Sequence, residues 1–544
     1  MLRNKNYSRL LVPLLILIFL ITGCGSPVSK DTSPGTDSAG QAVKDGGTLT
    51  FGLTGDIVAL DPAFAYDYTT NPVVNQITEG LLKFNDKQEL AGGLAESWEN
   101  PDPRTYIFHL RKDVKFQDGT PMTIEDVIFS LERIKNPETA SYLGWMLGSA
   151  DKFEKVDDST LKITLTQPDA QFKFALATSA GHVISKAYYE AHKNNFGKPD
   201  GGLLGTGPYK FVSWKTGTEI VLEKNRDYWD KKSGSPYLDK IVYKIIPEGT
   251  TRVTGLKTGQ INLTVGVPLD LVSVVEGMDN VSIQKSESYS IDWIAFNTAK
   301  KPFDDVNVRK ALYYALDRKK ILDEVVKDAG EPSVTIPAGP DFWTYGKDQW
   351  EAFAKEVPDY AFSVDKAGEY LAKSGVSKGF SAKITTDGDP QRMSTALAWQ
   401  EAVKPLGINL EIEKVSEEEL TSRQFGGDRK YDIILGRWGS DFPDPAGNIV
   451  PIFNSANAGD GGSNFANYKN SEVDALLDEQ ATLTDDAKRA ELLIKALKIT
   501  SEEVPLIVVD YPKTLLAAGK DLSGYSISPI WYWNFFVKDV YFTK

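Results

Sequence analysis

The sequence predicts an α/β protein of several lobes built on mixed sheets. Three observations carry that prediction. Period-two and period-3.6 apolar patterns follow one another without a strict strand–helix rhythm, which gives mixed rather than purely parallel sheets. A chain of 544 residues exceeds what one ordinary core encloses, so two or three packing units are expected. Its 41% hydrophobic, 25% charged and 11% aromatic residues are globular proportions, which excludes collagen, coiled coil and low-complexity chain.

At the N-terminus, Arg3, Lys5 and Arg9 precede an apolar run over residues 10–21. Those twelve residues fall short of the roughly 20 that span a bilayer, so the run is expected to be an export signal. It ends in Leu20-Ile21-Thr22-Gly23-Cys24, which resembles a bacterial lipobox. The resemblance implies cleavage after residue 23 and a diacylglycerol anchor, with a palmitate-type acyl chain, on Cys24. That accounts for the one cysteine, which excludes an intrachain disulfide and a Cys-rich zinc site. Residues 24–45, rich in Gly, Ser, Pro, Thr and Asp and without an aromatic, read as a flexible tether. The net charge of −14, with no long cationic run, excludes nucleic acid as a partner and leaves membrane attachment to the lipid.

The folded body opens with a strand over residues 48–53, and Tyr106, Phe108 and Leu110 then alternate with polar neighbours. Asp118-Gly119 marks a tight turn, and Thr123 with Asp126 forms a capping box ahead of Val127, Leu131 and Ile134 at helical spacing. Leu161, Ile163 and Leu165 give another half-buried strand. A helix follows Asp305, with Val308, Ala311, Leu312, Ala315 and Leu316 on one stripe, and a third helix starts at Ser471 with Asp474 as its capping partner. No internal repeat is visible.

Four blocks carry a family resemblance. The first runs from Leu94-Ala95-Glu96-Ser97-Trp98 through Tyr106-Ile107-Phe108 and Asp118-Gly119-Thr120-Pro121 to Glu125-Asp126-Val127. The second is Gly205-Thr206-Gly207-Pro208-Tyr209, and the third contains Asn297-Thr298, Pro302-Phe303-Asp304 and Ala315-Leu316-Asp317-Arg318. The fourth is Trp438-Gly439-Ser440-Asp441-Phe442-Pro443-Asp444-Pro445. Together they resemble the extracytoplasmic solute-binding proteins of the oligopeptide, dipeptide and nickel class that serve ABC importers. The resemblance implies a type II periplasmic-binding-protein-like Venus flytrap with an additional inserted lobe. Lobe I would comprise residues 46–85, 205–297 and 513–544, lobe II residues 86–204 and lobe III residues 298–512, with hinges near Asn297 and Tyr511. It also implies a monomer outside the plasma membrane that takes a small peptide, uses no cofactor and delivers to a permease and ATPase complex.

Site residues follow by the same resemblance. Asp441 matches the aspartate that pairs with a peptide's α-ammonium, although an aspartate before Phe442-Pro443 can also cap a turn. Trp438 offers a flat wall or core packing, and Arg437 a carboxylate partner or a surface charge. Arg392 sits near where relatives place a cation for the ligand carboxylate, but its spacing to Gly407 departs from the dipeptide binders, and Leu435 stands where an oligopeptide binder carries arginine. Tyr289 and Trp293 share one face of a crossing strand and either line the cleft or fill the core. Asp56 lies in the family's first cleft loop.

Two rival ligands belong to the same family. An oligosaccharide would stack on aromatics such as Trp343, Trp531 and Trp533, and a nickel or haem chelate would need one of His109, His182 and His192, whose spacing is not ligand-like. From another class, a secreted hydrolase is disfavoured because no Gly-x-Ser-x-Gly elbow, His-Glu-x-x-His, P-loop or dinucleotide fingerprint occurs.

Overall fold

A computed structural model describes residues 43–230 and 235–543. The export run, Cys24 and residues 24–42 of the expected tether lie outside the described residues. The tether was expected to reach residue 45, yet Val43–Lys44 pairs antiparallel with Tyr541–Thr543. Backbone hydrogen bonding to the C-terminal strand fixes these residues where composition suggested free coil.

Two large mixed sheets organise the molecule. The seven-stranded sheet runs Val281–Ser286, Thr514–Gly519, Leu263–Val265, Thr48–Leu53, Lys240–Ile245, Glu219–Lys224 and Tyr209–Lys215. Its central strand Thr48–Leu53 pairs parallel with both neighbours. The six-stranded sheet runs Gly330–Pro332, Leu506–Pro512, Ser290–Phe296, Ile433–Gly439, Ser381–Thr386 and Asn409–Lys414. A four-stranded antiparallel sheet is formed by Ala95–Asp102, Thr105–Leu110, Thr160–Leu165 and Ala150–Asp157. In Thr105–Leu110 and Thr160–Leu165 every second residue is buried, as the alternation predicts.

The chain passes between the two large sheets at residues 287–289 and again at Lys513. Ser290–Phe296 therefore lies in the six-stranded sheet, although the sequence reading assigned it to the first lobe. Tyr511 is one residue inside the strand Leu506–Pro512, close to the second crossing. Asn297 lies at the far end of its strand and is not at a crossing. Its buried amide donates to the carbonyls of Arg429 and Tyr431, which fixes it in the six-stranded half.

The helices follow their local signals. Thr123 and Asp126 form the expected capping box on Ile124–Lys135, and Asp305 caps Val306–Tyr314. Ser471–Ala481 starts where expected, but Asn470 caps it, and Asp474 instead accepts from the backbone and hydroxyl of Ser455. Asn and Ser are comparable N-caps, so adjacent candidates compete and spacing alone does not choose between them.

Candidate functional site

A cavity of about 350 Å³ opens between the two large sheets. Thr54, Val267, Thr514 and Leu515 line it from the seven-stranded side, and Tyr289, Ser290, Arg437 and Gly439 from the six-stranded side. The C-terminal segment adds Trp531 and Tyr532, and the loop after residue 61 adds Tyr68. Tyr68 keeps 53% of its surface open, and it faces this cavity, stacked on Trp531 at 5.9 Å and edge-on to Tyr532 at 4.9 Å. The walls thus combine aromatic rings with charged and hydroxyl groups such as Asp389, Arg437, Lys513 and Thr514, a mix that offers stacking and polar contacts to a small molecule.

Asp441 is not itself among the cavity residues; it follows Ser440, which lines the cavity, and bonds Tyr532, which lines it too. Tyr66 donates to its Oδ2 at 2.8 Å and Tyr532 to its Oδ1 at 3.2 Å. Burial pushes the carboxyl up to about 6, against the pull of these two hydroxyls. The same carboxylate, together with burial, raises both phenols. A carboxylate has about four acceptor positions, so two are left for a third donor. Phe442, the next residue, packs on Phe174 at 5.9 Å and Trp145 at 6.2 Å, so the segment holding Asp441 touches the four-stranded lobe.

Arg437 also faces the cavity. It pairs in register with Asp292 on the neighbouring strand, its Nε donating to Oδ1 at 2.9 Å and its Nη2 to Oδ2 at 2.7 Å. Asp292 is buried and shares Gln391 with Asp510: the Gln391 amide donates to Asp292 Oδ2 at 3.1 Å and to Asp510 Oδ1 at 2.7 Å. Burial, and then the neighbouring Asp292 charge, hold the Asp510 carboxyl well above the usual range. Its Oδ2 is buried without a partner among the described residues, as suits a neutral carboxyl.

The other expected site residues lie elsewhere. Arg392 is not among the cavity residues; its Nε and Nη2 grip Asp387 at 2.9 and 2.6 Å, so the fork expected to hold a ligand carboxylate is engaged within the protein. Trp293 is 1% exposed, stacks on Phe465 at 4.3 Å and lies over Gly436, where a Cβ would come within 2.4 Å of the indole. Trp438 meets the same Phe465 edge-on at 5.8 Å, so both tryptophans take the packing alternative. Tyr289 lines the cavity with its ring stacked on Phe342 at 4.4 Å. Asp56 organises its own loop, accepting from Trp214 Nε1 at 3.0 Å and the Gly217 amide at 2.6 Å.

Among the rival groups, Trp531 reaches the cavity, whereas Trp343 is buried with its indole donating to the Ala338 carbonyl. Trp533 is buried and stacks on Tyr66 at 6.2 Å. His182 is buried beside Thr78, its pKa driven down to about 3 by desolvation, while His109 meets Glu99 and His192 stacks on Tyr188.

The model of the bacterial extracellular solute-binding proteins, family 5, matches residues 89–460. The chain belongs to this family. It is 32% identical to Heme-binding protein A of Haemophilus influenzae over 516 residues, covering 88% of this chain and 90% of that protein. It is 29% identical to the oligopeptide-binding protein AppA of Bacillus subtilis over 549 residues, 97% of each. Among solved structures, the ABC transporter-associated periplasmic binding protein DppA of Helicobacter pylori, in complex with the peptide STSA, superposes with a TM-score of 0.78. That pair is 28% identical and covers 92% of this chain and 99% of the other. The fold is that of the type II periplasmic binding proteins, and family members are transport proteins that bind solutes for ABC importers rather than enzymes.

Tyr66, Tyr68, Asp292, Gln391 and Asp510 escaped the sequence reading. The tyrosines sit in a loop with no periodicity, and the polar trio is assembled from three separate strands and helices.

Proposed function

We propose that this protein captures peptides in the cleft between its two large sheets and presents them to an ABC importer, with Asp441 receiving the peptide's α-ammonium. The observation that carries this reading is a carboxylate next to the cavity, bonded to Tyr66 and to Tyr532 of the cavity wall and costly to keep charged without a cation. An ammonium supplies the missing charge, and hydrogen bonds to an ionised group are worth about 1.5–3 kcal/mol each. The peptide ligands of AppA and of the Helicobacter pylori protein support the same reading. The protein acts as a monomer outside the plasma membrane, tethered through an acylated Cys24. Calorimetry with peptide pools tests the binding: free peptides bind, their N-acetylated forms do not, and equal affinity for both refutes the role of Asp441. Mass spectrometry of the membrane-extracted protein tests the anchor, which predicts an acylated Cys24 at the mature N-terminus.

A further inference from the structure

The backbone crosses between the two large sheets at residues 287–289 and at Lys513, a pair of connections about which the halves can rotate. Asp441 links the halves a second way. It follows the strand Ile433–Gly439 of the six-stranded sheet, whereas both of its partners belong to the seven-stranded half. Tyr66 lies in the loop between Thr48–Leu53 and the helix Asn71–Ile77. Tyr532 lies in the helix Trp531–Asn534, and its carbonyl accepts from Asn75 of Asn71–Ile77 at 2.9 Å. Both hydrogen bonds to the Asp441 carboxyl therefore run from one half to the other.

The contacts beside them carry no titratable group. Phe442 packs on Phe174 and Trp145, and the Ala170 amide donates to the Ala481 carbonyl at 3.1 Å. The ion pairs of Lys285 with Asp328 and Lys513 with Glu331 also join the halves, but they sit beside the crossings, where a rotation moves groups least.

The charges around Asp441 are already answered. On its own segment, Arg437 is paired with Asp292, and Asp444 with Arg489 at 2.7 Å. In the loop of Tyr66 and Tyr68, Asp61 accepts from Arg133 at 2.9 Å, and Asp67 from the Thr69 and Thr70 amides at 2.8 and 2.7 Å. On the four-stranded lobe, Lys173 lies over the Phe174 ring, 5.3 Å from its centre. Among the described residues no cation bonds Asp441, and burial outweighs the two phenols that pull its acidity the other way. Rotating the halves apart removes both phenols and returns the carboxyl to water. A proton then binds the closed form more tightly than the open one, and by linkage it favours closure.

We propose that Asp441 is a charge-sensing latch: a proton on its carboxyl lets the two halves close, and a bare carboxylate holds them apart. Acid closure would then compete with ligand capture, because the proton occupies the group that a ligand's cation would meet. That consequence rests on the peptide reading above, whereas the latch does not.

Small-angle X-ray scattering of the ligand-stripped mature protein tests the latch, since closure lowers the radius of gyration. As pH falls from about 6 to about 4, the closed-to-open ratio of the wild type should rise about tenfold per pH unit, on the order of a hundredfold in all. Asp441→Asn, an uncharged isostere, should be compact at pH 7 and stay so across the range. The latch is overturned by a wild-type radius that does not change, by an Asp441→Asn variant as open at pH 7 as the wild type, or by a pH response that persists in that variant. Calorimetry with a pool of free tripeptides separates the two claims. No binding of the pool refutes the peptide reading and leaves acid closure standing, and peptide binding with a pH-independent radius refutes the latch alone.

Discussion

Replacing Asp441 with Asn should weaken peptide binding while stabilising the empty protein. The wild-type carboxyl rises from its ordinary 3.8 to about 6. At about 1.4 kcal/mol per pH unit, that rise is a cost on the order of 3 kcal/mol at neutral pH if burial were complete. Asp441 is only partly shielded from solvent, which reduces the cost to about 1–2 kcal/mol. The sign follows from proton binding: with the folded pKa above the unfolded one, the folded state holds more protons between about 4 and 6. The wild type therefore loses stability as pH rises through that window, and the loss is constant above it. Asn keeps the shape and can still bond Tyr66 and Tyr532 without a charge to desolvate. Thermal unfolding of the ligand-free variant at neutral pH should give a melting temperature higher by about 1–2 °C, on the order of 1 °C per kcal/mol for so long a chain. Calorimetry should show peptide affinity lower by about 2–5 kcal/mol. A lower melting temperature for the variant, or unchanged affinity, would refute the reasoning.

Further predictions concern the groups around this site. Peptide affinity of the wild type should be full near neutral pH and fall about tenfold per pH unit below about 6, as Asp441 takes up a proton; a flat profile down to acid pH contradicts the assignment. Asp510→Asn mimics the neutral carboxyl, so chemical denaturation at pH 7 should show stability unchanged or raised, and a large loss would mean the carboxylate is charged. Arg392→Gln should leave peptide affinity within about threefold by calorimetry, since its fork is engaged by Asp387. Trp293→Ala should cost about 3–5 kcal/mol in denaturant unfolding, by removing a buried ring stacked on Phe465.

The fold was largely legible because its signals are local. Alternation gave Thr105–Leu110 and Thr160–Leu165, and side-chain caps gave Ile124–Lys135 and Val306–Tyr314. Of the expected residues, Tyr289 and Arg437 line the cavity, and Asp441 lies beside it, bonded to Tyr66 and Tyr532. Its partners Tyr66 and Tyr532 lie 375 and 91 residues away, a distance that no periodicity spans. Trp293 and Trp438 illustrate the opposite difficulty. A large aromatic on a crossing strand suits a cleft wall and a core equally, and it is Gly436 and Phe465, brought from other segments, that decide for the core. Arg392 is engaged by Asp387, which the turn ahead of its helix brings beside it, a pairing that spacing alone does not reveal.

The central claim is that Asp441 neutralises the positive end of a bound peptide. A crystal structure of the protein with the ligand it carries from its native cell tests this most directly. The account predicts peptide density in the cleft with its α-nitrogen about 2.7–2.9 Å from an Asp441 oxygen. Density for a sugar or a metal chelate, or a peptide whose amine points away while Asp441 keeps only Tyr66 and Tyr532, would contradict it.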